Sequence, residues 1–118
     1  MPRDALSFIP LTPAMFHVLL ALADEDRHGY AIIKHVAARS DGRVSLGTGT
    51  LYGIVKRLLA DGLVVESKRR PAAAVDDERR RYYRLTEFGR QVVTAETERL
   101  EAMVSAARAT RILGKARP

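Results

Sequence analysis

Residues 45–63 carry side chains whose types and spacing suit one kind of chemistry, the gripping of a polyanion. Leu51, Ile54, Val55, Leu58 and Leu59 recur at three- and four-residue steps, as in a helix that buries one stripe. The opposite stripe holds Thr48, Gly49, Tyr52, Gly53, Lys56 and Arg57, with Thr50 close by. These groups are small, hydroxylated, aromatic and cationic, without the usual admixture of Glu. The glycines remove bulk, and Lys56 and Arg57 can reach phosphates or base edges in a major groove wide enough to admit a helix. Thr48 or Thr50 suits the N-cap and Gly62 the stop. An ordinary surface helix with solvated cations fits the same stripe, so the flanking segments have to decide.

After the helix, residues 63–67 (Leu-Val-Val-Glu-Ser) and 81–86 (Arg-Tyr-Tyr-Arg-Leu-Thr) have strand composition, and the stretch between them breaks regularity. This is the layout of a β-hairpin with a long tip. Lys68, Arg69 and Arg70 stand at one root of the tip and Arg79, Arg80 and Arg81 at the other. Strand pairing would set two basic runs side by side, and their repulsion is relieved if a polyanion lies against them. A helix followed by a hairpin with basic flanks is the plan of a winged helix. The competing reading is a solvated loop of basic bias.

Other chemistry finds little support. Asp24, Glu25 and Asp26 are adjacent in sequence, and Asp76, Asp77 and Glu78 fall in the hairpin tip, where carboxylates stay exposed. Residues 47–53 resemble a phosphate loop superficially, but lack the Gly-Lys-Ser/Thr ending and a preceding strand of adequate length. His17, His28 and His35 share no ligand spacing with a carboxylate, so a metal site is not expected. The chain has no cysteine, which excludes disulfides and thiolate chemistry. A net charge of +6 over 118 residues favours an anionic partner. The apolar run at residues 15–23 is too short to span a bilayer and nothing near it looks like an export signal, so a cytoplasmic protein with no membrane partner is expected.

The elements that must position the helix and hairpin are legible in outline. Thr12 can cap a first helix with Pro13 at its first position, and Met15, Val18, Leu19 and Leu22 face a core. His28-Gly29-Tyr30 opens a second helix with Ile32, Ile33, Val36 and Ala37 inward. The link at residues 41–46 is expected to form a short extended segment beside the hairpin. From Thr86 to about Leu113 the spacing of Val93, Leu100, Val104 and Ala107, broadened by Phe88, Val92 and Met103, predicts a long terminal helix, with Glu96, Glu98, Glu101, Arg90 and Arg99 outside. Such a helix protrudes from so small a domain, and the simplest cover for its apolar stripe is a second copy of itself. Residues through Ser7 and the tail from Gly114 are expected to be loose.

Four pieces in this order resemble the PadR family of transcriptional regulators. They are residues 28–34 (HGYAIIK), 49–52 (GTLY), 56–58 with 61–64 (KRL, DGLV) and 81–89 (RYYRLTEFG). The resemblance runs from about Thr12 to the last helix. It departs at Gly53, where many members have Pro, and in the absence of the Trp that some drug-sensing members carry. It implies that Tyr30 lies near the DNA backbone, that the molecule is a homodimer, and that a small phenolic or lipophilic effector binds near the dimer interface. Met15, Phe16, Leu19, Val93, Leu100 and Met103 are the residues expected to line that site, and Val93, Leu100, Met103, Val104 and Ala107 the dimer interface.

The expected fold is therefore mainly α with a small β-wing: a winged helix-turn-helix domain over residues 1–86 and a C-terminal dimerisation helix and tail over 87–118, as one compact unit. The expected function is that of a sequence-specific DNA-binding regulator without cofactor, a bacterial homodimeric repressor on a pseudo-palindromic site. In it Thr48, Gly49, Thr50, Tyr52, Lys56 and Arg57 meet the major groove and the six hairpin cations hold phosphates or a minor groove. The alternative is a winged-helix protein-interaction module whose basic charge gives only non-specific DNA binding.

Overall fold

The computed structural model describes residues 4–68 and 81–112. Helix α1 (Pro13–Ala21) starts where the sequence places it: Thr12 Oγ1 accepts from the Met15 amide at 3.1 Å, and Pro13 fills the position where an N–H has no partner anyway. Val18, Leu19, Ala21 and Leu22 are buried, whereas Met15, Phe16 and Leu20 are only half covered. Strand β1 (Arg27–His28) leads into helix α2 (Gly29–Arg39), whose N-cap is the imidazole of His28, with Nδ1 accepting from the Ala31 amide at 3.2 Å. Ile32 and Val36 face the core, and Ile33 and Ala37 lie half buried at its border.

The link between α2 and the next helix departs from expectation. Residues 41–46 form no strand. Asp41 and Gly42 take left-handed conformations at φ 53° and 77°, and Ser40 Oγ donates to the Val36 carbonyl and accepts from the Val44 amide, so the link folds back on the end of α2. The third strand of the sheet comes instead from Arg27–His28.

Helix α3 (Thr48–Ala60) buries Leu51, Val55 and Leu58. Its N-cap is Gly47, which offers no side-chain acceptor, and Thr48 is already the first helical residue, so neither threonine caps it. Gly62, at φ 75°, ends it: the Gly62 amide donates to the Leu59 carbonyl and the Leu63 amide to that of Leu58. Strands β2 (Val64–Ser67) and β3 (Tyr82–Leu85) then pair antiparallel, Val64 opposite Leu85 and Ser67 opposite Tyr82. β1 adds to the far edge of β3, Arg27 opposite Tyr83, for a sheet order β1-β3-β2.

Helix α4 (Glu87–Ala109) is capped by Thr86 Oγ1, which accepts from the Gly89 amide at 2.9 Å and donates to the Gly62 carbonyl at 2.7 Å. A Cβ on Gly89 would stand 2.1 Å from the Leu63 carbonyl oxygen, so glycine is required where α4 crosses the root of β2. The core joins all layers: Leu19 and Val18 of α1, Ile32 and Val36 of α2, Leu51 and Leu58 of α3, Val64 and Leu85 of the sheet, and Val92 and Val93 of α4.

Two expectations about the surface are corrected. The segment just before α1 is not loose from Asp4 onward: Ala5–Phe8 form a 3-10 helix capped by Asp4, and Phe8 meets Phe88 of α4 edge to face at 5.5 Å. Glu96 is not on the outside; it is 1% exposed. Its Oε2 accepts from the Leu11 amide at 2.7 Å, and Arg99 donates to both carboxylate oxygens. The Arg99 hydrogen bond, the Leu11 amide and the guanidinium charge together outweigh burial and hold this carboxyl below the usual glutamate range.

Candidate nucleic-acid interface

The outer face of α3 is open along its length. Thr48, Gly49, Thr50, Gly53, Lys56 and Arg57 are all exposed. A Cβ on Gly49 or on Gly53 would meet nothing within 4 Å, so no internal contact calls for glycine at either position. Exposed glycine in a helix costs up to about 1 kcal/mol against alanine, and this helix accepts that cost twice on one face. With no side-chain cap at Gly47, the amides of the first turn are not satisfied by a capping side chain, and the partial positive charge of the helix end faces outward. Arg57 reaches Asp61 at 3.8 Å but stays 75% exposed, a contact of little energetic weight.

The hairpin presents cations of its own. Lys68 and Arg81, the residues next outward from the Ser67–Tyr82 pair, are both exposed. Arg69, Arg70, Arg79 and Arg80 lie outside the described residues. A polar knot fixes the hairpin to the turn before β1: Ser67 Oγ donates to Asp26 Oδ2, and Arg84 donates to the same oxygen at 3.3 Å and to Ser67 Oγ at 3.3 Å. Sequence reasoning missed this knot, because Asp26 looked like one of three interchangeable acids in a turn.

Tyr30 is not wedged between helices. It is 60% exposed at the start of α2, its ring parallel to that of His28 and under the Lys34 ammonium, 5.4 Å from the centroid. Lys34 escaped notice in the sequence, although its position one turn after Tyr30 was a signal for it. Tyr52 sits differently. Although 46% exposed, it turns back toward α2: a Cβ on Gly29 would stand 2.5 Å from its hydroxyl and 2.9 Å from its ring.

The three histidines stay apart in role. His28 caps α2, His17 Nδ1 is buried without a hydrogen-bond partner, and His35 accepts from Arg39. Burial, with Arg27 and Arg39 nearby, pushes the His35 imidazole down. Among the described residues no group of three or more His, Asp or Glu side chains is placed to hold a metal. No helix of the described residues is long and apolar enough to cross a membrane.

The residues expected to line an effector site and a dimer interface divide in two. Leu19 is completely buried and Val93 is 8% exposed, both inside the core of a single copy, so neither offers a surface to a ligand or a partner in this conformation. The outward turn of α1 leaves Met15 and Phe16 half covered, and α4 leaves Leu100 and Ala107 half covered and Met103 and Val104 exposed.

A helix pair, α2 and α3, joined to a three-stranded sheet whose hairpin flanks the second helix, defines a winged helix-turn-helix protein. The chain belongs to the PadR-like family of transcriptional regulators, whose family model matches residues 18–95. It is 40% identical over 87 residues to the transcriptional regulator Rv3488 of Mycobacterium tuberculosis, covering 74% of this chain and 75% of that protein. Among solved structures, a PadR family transcription regulator from Clostridium difficile R20291 superposes with a TM-score of 0.67 at 22% identity, over 81% of this chain and 95% of the other. Bacillus subtilis PadR in complex with operator DNA superposes with a TM-score of 0.59 at 18% identity, over 71% of this chain and 46% of the other. At these identities the two structures bear on the fold. Membership of a regulator family, and not of an enzyme family, agrees with the sequence reading.

Proposed function

We propose that this regulator binds double-stranded DNA in a sequence-specific manner, with α3 in the major groove and the wing against the backbone. The observation that carries the reading is the pair of exposed, contact-free glycines, Gly49 and Gly53, on the same face as Lys56 and Arg57. Bulk is absent where a duplex would come closest, and charge is present where phosphates and guanine edges would lie. Thr48 and Thr50 supply hydroxyls at the uncapped helix end, and Tyr30 with Lys34, Lys68 and Arg81 supply backbone contacts on either side.

Two copies associate in this reading through the distal half of α4, where Met103 and Val104 are exposed and Leu100 and Ala107 only half covered by their own chain. A two-fold pair sets two recognition helices on half-sites about 34 Å or a multiple of it apart. The regulator acts as a repressor at a nearby promoter, and a lipophilic or phenolic effector, seated against Met15, Phe16, Leu100 and Met103, relieves it. Support for that seat is the half-open apolar surface of α1 and α4.

The deciding experiment compares binding to the upstream intergenic DNA of the protein's own gene with binding to a scrambled duplex of equal length, at two salt concentrations. Preference that survives at the higher salt is expected. Equal binding that vanishes with salt would leave only electrostatic attraction and favour a protein-interaction module instead.

A further inference from the structure

We infer that Tyr52 is a positioning residue, a ring seated on the bare backbone of Gly29 that sets the angle of α3 against α2, and not a reader of bases. This rests on the DNA-binding reading above. The contact is specific to the two residue types. Gly29 is buried at the first position of α2, its φ is not left-handed, and the atoms nearest the place a Cβ would take are the Tyr52 hydroxyl and ring, followed by a Leu51 methyl. Backbone conformation therefore does not call for glycine there. The space does, because Tyr52 occupies it.

Tyr83 of β3 is 5% exposed, and burial pushes its phenol up, with Tyr52 and Glu66 as neighbours that add to the effect. Tyr52 itself packs on the start of α2. Since that end of α2 also carries Tyr30 and Lys34, one ring registers the base-facing helix to that phosphate-facing surface. Groove recognition depends on that register, because phosphate contacts fix where the reading side chains fall.

The test starts from duplexes selected out of a random pool by the unaltered protein, followed by a panel of every single-base-pair variant of the selected site. Binding of Tyr52→Phe, Tyr52→Ala, Gly29→Ala and the Gly29→Ala/Tyr52→Ala double variant is measured across the panel, with thermal unfolding as a check on folding. A ring that positions predicts that Tyr52→Phe binds like the unaltered protein. It predicts that Tyr52→Ala weakens binding about tenfold on every duplex alike. Gly29→Ala displaces the ring without strain in the backbone, so it should reproduce that uniform loss with little change in melting temperature, and the double variant should be no worse than Tyr52→Ala alone. Loss of discrimination confined to one base pair, or a Tyr52→Phe loss equal to that of Tyr52→Ala, would overturn the inference. So would additive losses in the double variant. Failure of the unaltered protein to enrich any sequence would instead defeat the DNA-binding reading itself.

Discussion

Gly49 and Gly53 set stability against function on single residues. Both stand in open space on a helix, so Gly53→Ala should stabilise the fold by about 0.5–1 kcal/mol. The added methyl projects into the face proposed to meet the duplex, so the same variant should bind operator DNA more weakly. Melting temperature and affinity moving in opposite directions is the expected signature; a gain in both would remove α3 from the groove. Lys56→Ala and Arg57→Ala should each cost about 1–3 kcal/mol on the specific site if the side chain reads a base, as measured by titration of labelled duplex. At this scale the sequence was informative because residue type and helical phase together decide exposure: the polar stripe of α3 is exposed as its spacing indicates. It was silent wherever a side chain's partner comes from a distant segment. Tyr52 has the composition of a reader, and its proximity to Gly29, on which its proposed positioning role rests, was not legible in the sequence.

Elements were legible where the signal is local. Thr12 with Pro13, Gly62 and Thr86 mark helix ends by their own chemistry, and the structure uses all of them. The link at residues 41–46 was misread because its composition permits extension, whereas Ser40 and two left-handed residues fold it away; nothing in the spacing announces that. The joint between α4 and the wing depends on Gly89, whose missing side chain lets the helix pass over the Leu63 carbonyl. Gly89→Ala should cost about 2–4 kcal/mol, through overpacking against backbone that cannot yield, and denaturant unfolding reads it directly. Glu96 joins α4 to the segment before α1. Because its folded-state pKa is depressed, its contribution is fully present above the ordinary glutamate range and fades as pH falls through the folded value. The stability gap between the unaltered protein and Glu96→Gln should therefore narrow on acidification from pH 6 to about pH 3. A gap independent of pH would mean that the carboxylate charge contributes nothing to the joint.

For the whole molecule, the distal half of α4 is the decisive surface. Met103 and Val104 are 56% and 48% exposed on a helix whose earlier turns are packed against their own chain. Met103→Glu with Val104→Glu should leave the monomer folded, shift sedimentation to the mass of one copy, and abolish binding to a two-half-site duplex more than to a single half-site. Lys68→Ala and Arg81→Ala should each lower the dependence of log affinity on log salt by about 0.9 if each holds one phosphate. Neither the dimer nor its spacing can be read from one chain's periodicity alone, since an apolar stripe does not say what covers it. The hydrogen bond from the Leu11 amide to Glu96 carries one last consequence, since its partners are 85 residues apart. A polypeptide is made from its amino end, so the segment that includes Phe8 and Leu11 leaves the ribosome before Phe88 and Glu96, its partners on α4, exist. A segment made earlier is thus completed by one made later. A nascent chain arrested at Thr86 should be cut by protease within residues 4–11, and the completed chain should resist cleavage there.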